Sequence, residues 1–298
     1  MKILLFGKSG QLGWELQRSL APLGELVALD SNSQDLCGDF RQADGIARTL
    51  RTVAPDIIVN AAAYTAVDQA ESEPELALSI NGLGPGILAE AAKSSGAWLI
   101  HYSTDYVFDG SGDQAWLETD ATDPLNMYGK SKLAGEVAIR ATHCQHLIFR
   151  TSWVYAARGK NFIKTMLRLA QELDYLTVID DQFGAPTGAE LLADVTAHAI
   201  LTARKRPEVS GLYHLTAKGQ TNWHDYACFV IDYARKLGIE IKVDPENIQA
   251  VPTSKFSTPA TRPKNSRLDT SKLQNTFGLT LPHWQQGVIR MLNEIIEK

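Results

Sequence analysis

Cysteine is scarce in this 298-residue sequence, which contains only Cys37, Cys144 and Cys228. The three are far apart and odd in number, and none belongs to a Cys-x-x-Cys pair, which argues against a disulfide framework and a zinc site. Reduced thiols of this kind are typical of a cytoplasmic protein, and we expect that location.

Long apolar runs, positive net charge and metal-binding spacings are also missing. No stretch of about eighteen apolar residues occurs, so we expect no membrane-spanning helix. The formal net charge of -5 argues against a nucleic-acid-binding surface. The seven histidines show no His-Glu-x-x-His or comparable spacing. What remains is a globular chain that can form one large or two modest domains.

A glycine-rich turn near the amino terminus carries the first positive signal. Residues 1–6 are apolar and too few for a signal-peptide core, which favours a buried parallel strand. Then comes Gly7-x-x-Gly10-x-x-Gly13, followed by a helical pattern over 14–20. Such glycines permit a tight turn and close backbone approach to a pyrophosphate at a helix start. A P-loop is excluded because no Gly-Lys-Ser/Thr follows the required gap. The turn predicts a dinucleotide site.

An acidic residue follows the next strand signal. Residues 25–29 are strand-like and end at Asp30, about twenty positions beyond the glycines, where a carboxylate can bind the adenosine ribose. The charge of Asp30 repels a 2′-phosphate, and residues 31–33 contain no arginine to receive one. These residues favour NADH.

Strand and helix signals then alternate along the chain. This alternation predicts an α/β fold, a Rossmann-like doubly wound parallel sheet with right-handed crossovers. We expect a dinucleotide-binding domain over 1–155, completed by part of 187–216, and a smaller interleaved substrate-binding portion over 156–298. The predicted strands are 56–60, 98–103, 146–151, 176–179 and 211–215, and the predicted helices are 42–53, 74–93, 161–173 and 189–203.

Tyr128 and Lys132 are four residues apart on one face of a predicted helix. A free tyrosine titrates near ~10, so it is a poor acid or base at neutral pH. A nearby lysine favours the phenolate and brings the tyrosine closer to useful proton transfer. Thr104 stands at the carboxyl end of a predicted strand, on the ligand side of such a sheet. Together the three residues indicate proton transfer to a polarised carbonyl.

These motifs resemble the extended short-chain dehydrogenase/reductase superfamily and, within it, the dTDP-4-dehydrorhamnose reductase family. The glycine turn and the Tyr/Lys pair are specific only to the superfamily. Thr-Asp-Tyr-Val-Phe-Asp-Gly at 104–110 and Phe-Gly-Ala-Pro-Thr at 183–187 are typical of the reductase family. The resemblance runs essentially from end to end and also includes 60–68 and 150–155.

The resemblance implies reduction of the 4-keto group of dTDP-4-dehydro-L-rhamnose by NAD(P)H, the last step of dTDP-L-rhamnose synthesis for cell-surface polysaccharide. It implies that Tyr128 protonates the keto oxygen and that Thr104 donates to the same carbonyl. Lys132 would bind the nicotinamide ribose and keep the pKa of the phenol low. The family is known for NADPH, so both cofactors stay open. Members are also associated with Mg²⁺, but no carboxylate cluster in the sequence identifies its ligands.

The resemblance and the motifs also name binding residues. For the substrate, Trp153 would lie against the sugar or base, Asp105 would bind a sugar hydroxyl, and Arg262 would meet the diphosphate, beside Thr104 and Tyr128. The predicted cofactor-binding residues are Gly7, Gly10, Gln11, Leu12, Gly13, Asp30, Asp39, Phe40, Ala62, Ala63, Tyr64, Thr65, Tyr102, Tyr128 and Lys132.

Tyr106 separates reaction classes. Dehydratases of the superfamily read Thr-Asp-Glu here and use the glutamate to protonate a departing hydroxyl, whereas this chain has Tyr106 in its place. A simple ketoreductase is therefore favoured over an epimerase or dehydratase that recycles its cofactor. Another sugar-nucleotide reductase or epimerase stays as one alternative. A second alternative is a non-catalytic NADP-binding regulatory subunit like that of methionine adenosyltransferase, against which the catalytic residues argue. The expected partner is a nucleotide sugar, with no nucleic acid and no membrane, and a homodimer is one expectation for the oligomeric state.

Overall fold

A computed structural model of the chain describes residues 1–296. The last two residues of the predicted substrate-binding portion, 297 and 298, lie outside the described residues. The strands are β1 Lys2–Phe6, β2 Glu25–Leu29, β3 Ile57–Asn60, β4 Trp98–Thr104, β5 His146–Thr151, β6 Val154–Tyr155, β7 Leu176–Ile179, β8 Phe183–Gly184, β9 Thr187–Gly188, β10 Gly211–His214, β11 Thr221–Asn222 and β12 Ile248–Val251.

The α-helices follow the same numbering along the chain. They are α1 Gln11–Leu20, α2 Ala43–Val53, α3 Val67–Ala70, α4 Pro74–Leu78, α5 Gly84–Ser95, α6 Met127–Thr142, α7 Phe162–Glu172, α8 Ala189–Ala203, α9 Trp223–Lys236, α10 Ser271–Phe277 and α11 Trp284–Ile296.

A six-stranded parallel sheet forms the centre of the molecule, in the order β10-β5-β4-β3-β1-β2. Helices cover both faces, so the predicted Rossmann-like, doubly wound α/β fold is confirmed. The strand order reverses at β1, since β2 lies on one side of it and β3 on the other. A ligand-binding crevice is expected at the carboxyl ends of strands at such a reversal.

Alternation of side chains along β1 explains the two apolar layers. Ile3 and Leu5 face a core that includes α1, α8 and α10, whereas Leu4 and Phe6 face a core that includes α2, α5 and α6. All four side chains are fully buried. Because both faces of the sheet are covered, β1 and β3 are nearly continuous apolar runs rather than alternating ones.

The helix predicted over 74–93 is interrupted. It consists of α4, a π-helical segment over Ser79–Leu83, and α5. Pro85 has no N–H to donate to the carbonyl of Asn81, which weakens the regular helical ladder at this point. The Asn81 side chain instead binds the backbone of Tyr64, accepting from its N–H at 2.8 Å and donating to its carbonyl at 2.9 Å. The interruption therefore braces the segment that follows β3.

The second half of the chain adds small sheets and a helical cluster. The predicted strand at 176–179 is present as β7, but it pairs with β12 outside the central sheet. In contrast, α8 packs against α1, and β10 pairs with β5, so both elements join the first half. The division into domains at 155 stays a prediction. Within residues 1–296, no helix is long and apolar enough to cross a membrane.

Candidate active site

The glycine turn packs backbone directly on backbone. Gly7 has a φ of +89° and donates its N–H to the carbonyl of Leu29 at 2.8 Å. A Cβ on Gly7 would lie 2.6 Å from the nitrogen of Ala62, and one on Gly13 only 1.9 Å from the carbonyl oxygen of Gly7. Helix α1 begins at Gln11, three residues before the predicted start, so Gly13 lies inside it. The free N–H groups of this helix start lie at the crevice, which suits a pyrophosphate.

A cavity of about 400 Å³ lies at the carboxyl ends of β1, β2 and β3. Phe40 lies in its wall and packs edge-on against Phe6, with ring centroids 5.3 Å apart. The predicted cofactor-binding residues that line it are Gly7, Gly10, Asp30, Asp39, Phe40, Ala62 and Ala63.

Arg41 lines the same cavity and was missed by the sequence analysis. Its guanidinium binds the Asp39 carboxylate at 2.8–3.0 Å, and these bonds hold the pKa of that carboxyl below its ordinary value. Asp30 accepts from the N–H of Asn32 at 3.0 Å and from Ser33 at 3.2 Å. Arg41 follows a separate loop, so inspection of residues 31–33 could not find it. A cation therefore lies in the same cavity as Asp30, the predicted ribose-binding acid.

A second cavity, of about 430 Å³, continues from the first, with which it shares Gly10, Ala61 and Ala63. The two together form one crevice across the carboxyl edge of the sheet. The predicted site residues that line the second cavity are Gly10, Gln11, Leu12, Ala63, Thr65, Tyr102, Thr104, Asp105, Tyr128, Lys132 and Trp153.

Tyr128 stands in the first turn of α6. Asn126 caps this helix by accepting from the N–H of Gly129 at 2.8 Å. A Cβ on Gly129 would lie 2.2 Å from the carbonyl oxygen of Tyr106, so the helix start packs closely on the segment after β4. Desolvation and, less strongly, the Asp105 carboxylate raise the pKa of Tyr128 to about 12, and a hydrogen bond with Thr104 opposes this shift. The phenol is thus protonated at neutral pH and can act as a proton donor.

Asp105 is buried beside Thr104, whose hydroxyl donates to Oδ1 at 3.0 Å. Burial raises the pKa of Asp105 to about 6, although hydrogen bonds from Ser266 and Thr104 oppose the shift. Its Oδ2 has no hydrogen-bond partner within residues 1–296. The hydroxyls of Thr151 and Ser152, which also line the cavity, are likewise buried and unpaired in this part of the chain. The carboxylate oxygen can accept a hydrogen bond from a polar ligand, and the two hydroxyls can donate or accept one.

Lys132 is buried, with an exposed fraction of 2%. Its Nζ donates to the carbonyl oxygen of Tyr102 at 2.6 Å and lies 3.3 Å from Nε2 of His101. Burial lowers the pKa of Lys132 to about 8, and the carboxylate of Glu136 opposes this shift. Lys132 is therefore held from β4 as well as from its own helix.

Trp153 forms an aromatic wall with Trp223. Trp153 has a φ of +50°, and its ring stacks on that of Trp223 with centroids 3.6 Å apart. A Cβ on Gly184 would lie 2.7 Å from the Trp153 ring, which explains why glycine suits this position of the 183–187 segment. Trp223 also lines the cavity, but it belongs to α9, which the sequence analysis missed. Only the folded chain brings the two tryptophans together.

Three predicted residues do not line either cavity. Arg262 binds Asp68 at 2.7 Å and lies close to Tyr106, which does line the second cavity. The hydroxyl of Tyr64 donates to Glu73 at 2.6 Å, away from the crevice. Gly13 packs against the backbone of Gly7 instead. Within residues 1–296, no group of three His, Cys, Asp or Glu side chains is placed to hold a metal ion, so the structure identifies no ligand set for the Mg²⁺ that the resemblance suggests.

Comparison with known proteins finds relatives that match almost the whole chain. Residues 1–297 match the family model described as the RmlD substrate binding domain. The dTDP-4-dehydrorhamnose reductase of Escherichia coli (strain K12) is 63% identical over 295 residues, which cover 99% of this chain and 98% of that protein. The chain belongs to the dTDP-4-dehydrorhamnose reductase family.

Solved structures of that reductase family share the fold. A dTDP-4-dehydrorhamnose reductase from Clostridium acetobutylicum ATCC 824 superposes with a TM-score of 0.88 at 34% identity, covering 99% of both chains. The enzyme from Bacillus anthracis str. Ames, solved in complex with NADP, gives a TM-score of 0.86 at 34% identity and covers 98% of this chain and 99% of its own.

Proposed function

We propose that this protein reduces the 4-keto group of dTDP-4-dehydro-L-rhamnose with NAD(P)H to give dTDP-L-rhamnose, a precursor of cell-surface polysaccharide. The observation that carries this proposal is the protonated phenol of Tyr128, hydrogen-bonded to Thr104 in a cavity continuous with a dinucleotide crevice. The 63% identity to a named reductase supports the same substrate.

The residues of the site account for each requirement of a ketone reduction. When bound, the dihydronicotinamide supplies a hydride to C4 of the sugar. Tyr128 donates its proton to the keto oxygen. The Thr104 hydroxyl, whose one proton is directed at Asp105 in this structure, turns to the substrate and donates a hydrogen bond that orients and polarises the carbonyl. Lys132 provides a positive charge near the phenolate that forms, as long as it remains protonated. No second acid beyond these residues is needed.

The crevice residues support a nicotinamide cofactor of either kind. Gly7 and Gly13 leave no room for a Cβ against the backbone of Ala62 and of Gly7, as the tight turn and close helix packing of a dinucleotide site require. Asp30 favours NADH, whereas Arg41 offers a guanidinium to a 2′-phosphate. The relative from Bacillus anthracis was solved in complex with NADP. We infer that the protein accepts both NADH and NADPH.

The remaining contacts are assigned to the sugar nucleotide. Asp105 presents its unpaired Oδ2 to a sugar hydroxyl, and Trp153, backed by Trp223, supplies a flat apolar surface for the sugar or base. Arg262 lies at the margin of the second cavity, next to Tyr106, where the diphosphate would compete with Asp68 for its guanidinium. The cytoplasmic location and the homodimer stay predictions, which cell fractionation and gel filtration can test.

The alternatives are less well supported. A dehydratase needs a second acid, but Tyr106 packs edge-on against Tyr128, with ring centroids 5.7 Å apart, where that acid would stand. A non-catalytic NADP-binding regulatory subunit has no use for Thr104, Tyr128 and Lys132 lining one cavity.

Absorbance measurements with purified protein test the proposal. With dTDP-4-dehydro-L-rhamnose, we expect loss of NAD(P)H absorbance and formation of dTDP-L-rhamnose, identified by NMR. Thr104→Val, which keeps the shape of the side chain but removes the hydroxyl, should be much slower. Bound cofactor without turnover of pure substrate would contradict the proposal and favour the regulatory alternative.

A further inference from the structure

Asn60, His101 and Lys132 form a buried chain of polar side chains across β3, β4 and α6. The side-chain nitrogen of Asn60 lies 3.1 Å from Nδ1 of His101, and Nε2 of His101 lies 3.3 Å from Nζ of Lys132. All three residues are at most 2% exposed. At this depth each donor needs an acceptor, so the positions of the protons can be worked out one by one.

The backbone orients the first member of the chain. The N–H of Ala62 lies 3.1 Å from Oδ1 of Asn60, and only an oxygen can accept from it. The amide of Asn60 therefore presents its NH₂ group to His101. That group is a donor, so Nδ1 of His101 must be the unprotonated acceptor.

The tautomer of His101 follows from this orientation. A neutral imidazole carries one proton, and if Nδ1 accepts, the proton resides on Nε2. Burial alone holds the pKa of His101 well below its ordinary value, so the ring is neutral. The Nε2–H therefore points at Nζ of Lys132, which can accept it only as a neutral amine.

We propose that Asn60 and His101 act as positioning residues that direct an N–H at Lys132 and so shift Lys132 from a permanent ammonium towards a group that loses its proton near working pH. We call the pair the tautomer lock. A neutral amine matches its surroundings, since it can accept from His101 and still donate to the carbonyl of Tyr102 at 2.6 Å. This inference rests on the proposed function only for its kinetic consequence.

The other charged groups near Lys132 have partners of their own. Glu136 lies one turn further along α6 and favours the ammonium, but its carboxylate is bound by Arg150 of β5 at 2.6 Å and 2.9 Å. The hydroxyl of Tyr102 hydrogen-bonds to Thr196 at 2.7 Å. Tyr128, on the same helix face, is a neutral phenol at neutral pH. Of the β4 side chains, His101 is thus the one that points an N–H at Nζ of Lys132 and so disfavours the ammonium.

The tautomer can be measured directly, without turnover. Protein labelled with ¹⁵N-histidine gives long-range ¹H–¹⁵N spectra in which Nδ1–H and Nε2–H tautomers differ, and the His101 signals are those that disappear in His101→Gln. We expect the neutral Nε2–H form. An Nδ1–H tautomer or an imidazolium would overturn the proposal, whatever the enzyme reduces.

The kinetic consequence is a shift of the alkaline limb of the pH–rate profile. Turnover should fall as pH rises through about 8, where Lys132 loses its charge. In Asn60→Asp, a carboxylate would accept from both Ala62 and Nδ1–H, leaving Nε2 free to accept from the ammonium. In His101→Gln, the side-chain amide oxygen can accept from the Lys132 ammonium, and this variant adds no charge. We expect both variants to move the limb upward by about one pH unit.

The control is His146→Gln, which changes a partly buried histidine at the start of β5 that bonds to the carbonyl of Cys144. The alkaline limb of its pH–rate profile should stay where it is in the unaltered protein. If both lock variants fold and leave the limb unmoved, the proposal is wrong. If no variant turns over the sugar while the Nε2–H tautomer is found, the proposed function fails and the tautomer lock stands.

Discussion

The indole rings of Trp153 and Trp223 stack with centroids 3.6 Å apart and planes 14° from parallel. The two residues are far apart in the sequence, one just after β5 and one at the start of α9. Trp223 is held in place by a bond from its Nε1 to Gln182 at 3.0 Å. The stack fixes the orientation of Trp153 in the wall of the second cavity.

Trp223→Ala should weaken substrate binding through Trp153. Loss of a stacked partner is worth about 1 kcal/mol, so we expect the KM for the nucleotide sugar to rise roughly fivefold, with NADPH affinity unchanged. Steady-state kinetics and a cofactor titration measure the two quantities. Trp223→Phe, which keeps a ring against Trp153, is the matched control and should lose less. A rise in NADPH Kd of the same size would contradict a role confined to the substrate.

Tyr128→Phe should remove the proton donor and leave the cofactor crevice intact. We expect turnover to fall by about 10²–10⁴-fold, the usual contribution of a positioned general acid, while NADPH binding by fluorescence is unchanged. Tyr175→Phe changes an exposed tyrosine that bonds to Gln249 and should behave like the unaltered protein. Unchanged turnover in the Tyr128 variant would refute its assigned role.

Arg41→Ser should change the choice of cofactor. Removing the guanidinium takes a charged donor from the cavity that holds Asp30, so NADPH should bind about three- to tenfold more weakly, the lower end reflecting its exposure to solvent. NADH should bind equally well or better. Dissociation constants for both cofactors measure the effect. Arg51→Ser, a change on the exposed side of α2, serves as control, and a parallel loss of NADH and NADPH affinity would argue against recognition of a 2′-phosphate.

Protonation of Asp105 should weaken binding of the nucleotide sugar at acidic pH. Burial raises the pKa of its carboxyl to about 6, so below that pH the group is protonated and Oδ2 no longer accepts as a carboxylate. We expect the KM for the nucleotide sugar to rise as pH falls below about 6, and Asp105→Asn to abolish this dependence.

The same shift predicts an effect on folding stability. An acid whose folded pKa lies above its unfolded value contributes stability at low pH and loses that contribution as pH rises from about 4 to about 6. The free energy of unfolding of Asp105→Asn should lack this decline, which denaturant titrations at a series of pH values can measure. Parallel pH profiles for the two proteins would show that Asp105 does not titrate in this range.

Elements of the central sheet were predictable because their signals are local. The strand at 25–29 and the helix at 189–203 have the predicted bounds, since apolar runs and turn residues mark them directly. The interruption of the helix over 74–93 was missed, although Pro85 is a local signal for it. The contact between Asn81 and Tyr64, which joins separate elements, could not be predicted because it depends on the packed chain.

Residues of the site divide in the same way. Gly7, Asp30, Tyr128 and Lys132 could be named because short motifs place them at strand ends or on one helix face. Arg41 and Trp223 could not, because each reaches its cavity from an element with no such motif.

The sequence by itself determined the alternating parallel fold, the dinucleotide turn and the pair of Tyr128 and Lys132, because periodicity and spacing act over a few residues. Only the tertiary structure decided the protonation states at the catalytic end. The shifted pKa values of Tyr128, Lys132 and Asp105 arise from burial, and the direction of the His101 proton arises from bonds between strands distant in sequence. Burial and hydrogen-bond partners are properties of the packed chain, and no local pattern contains them.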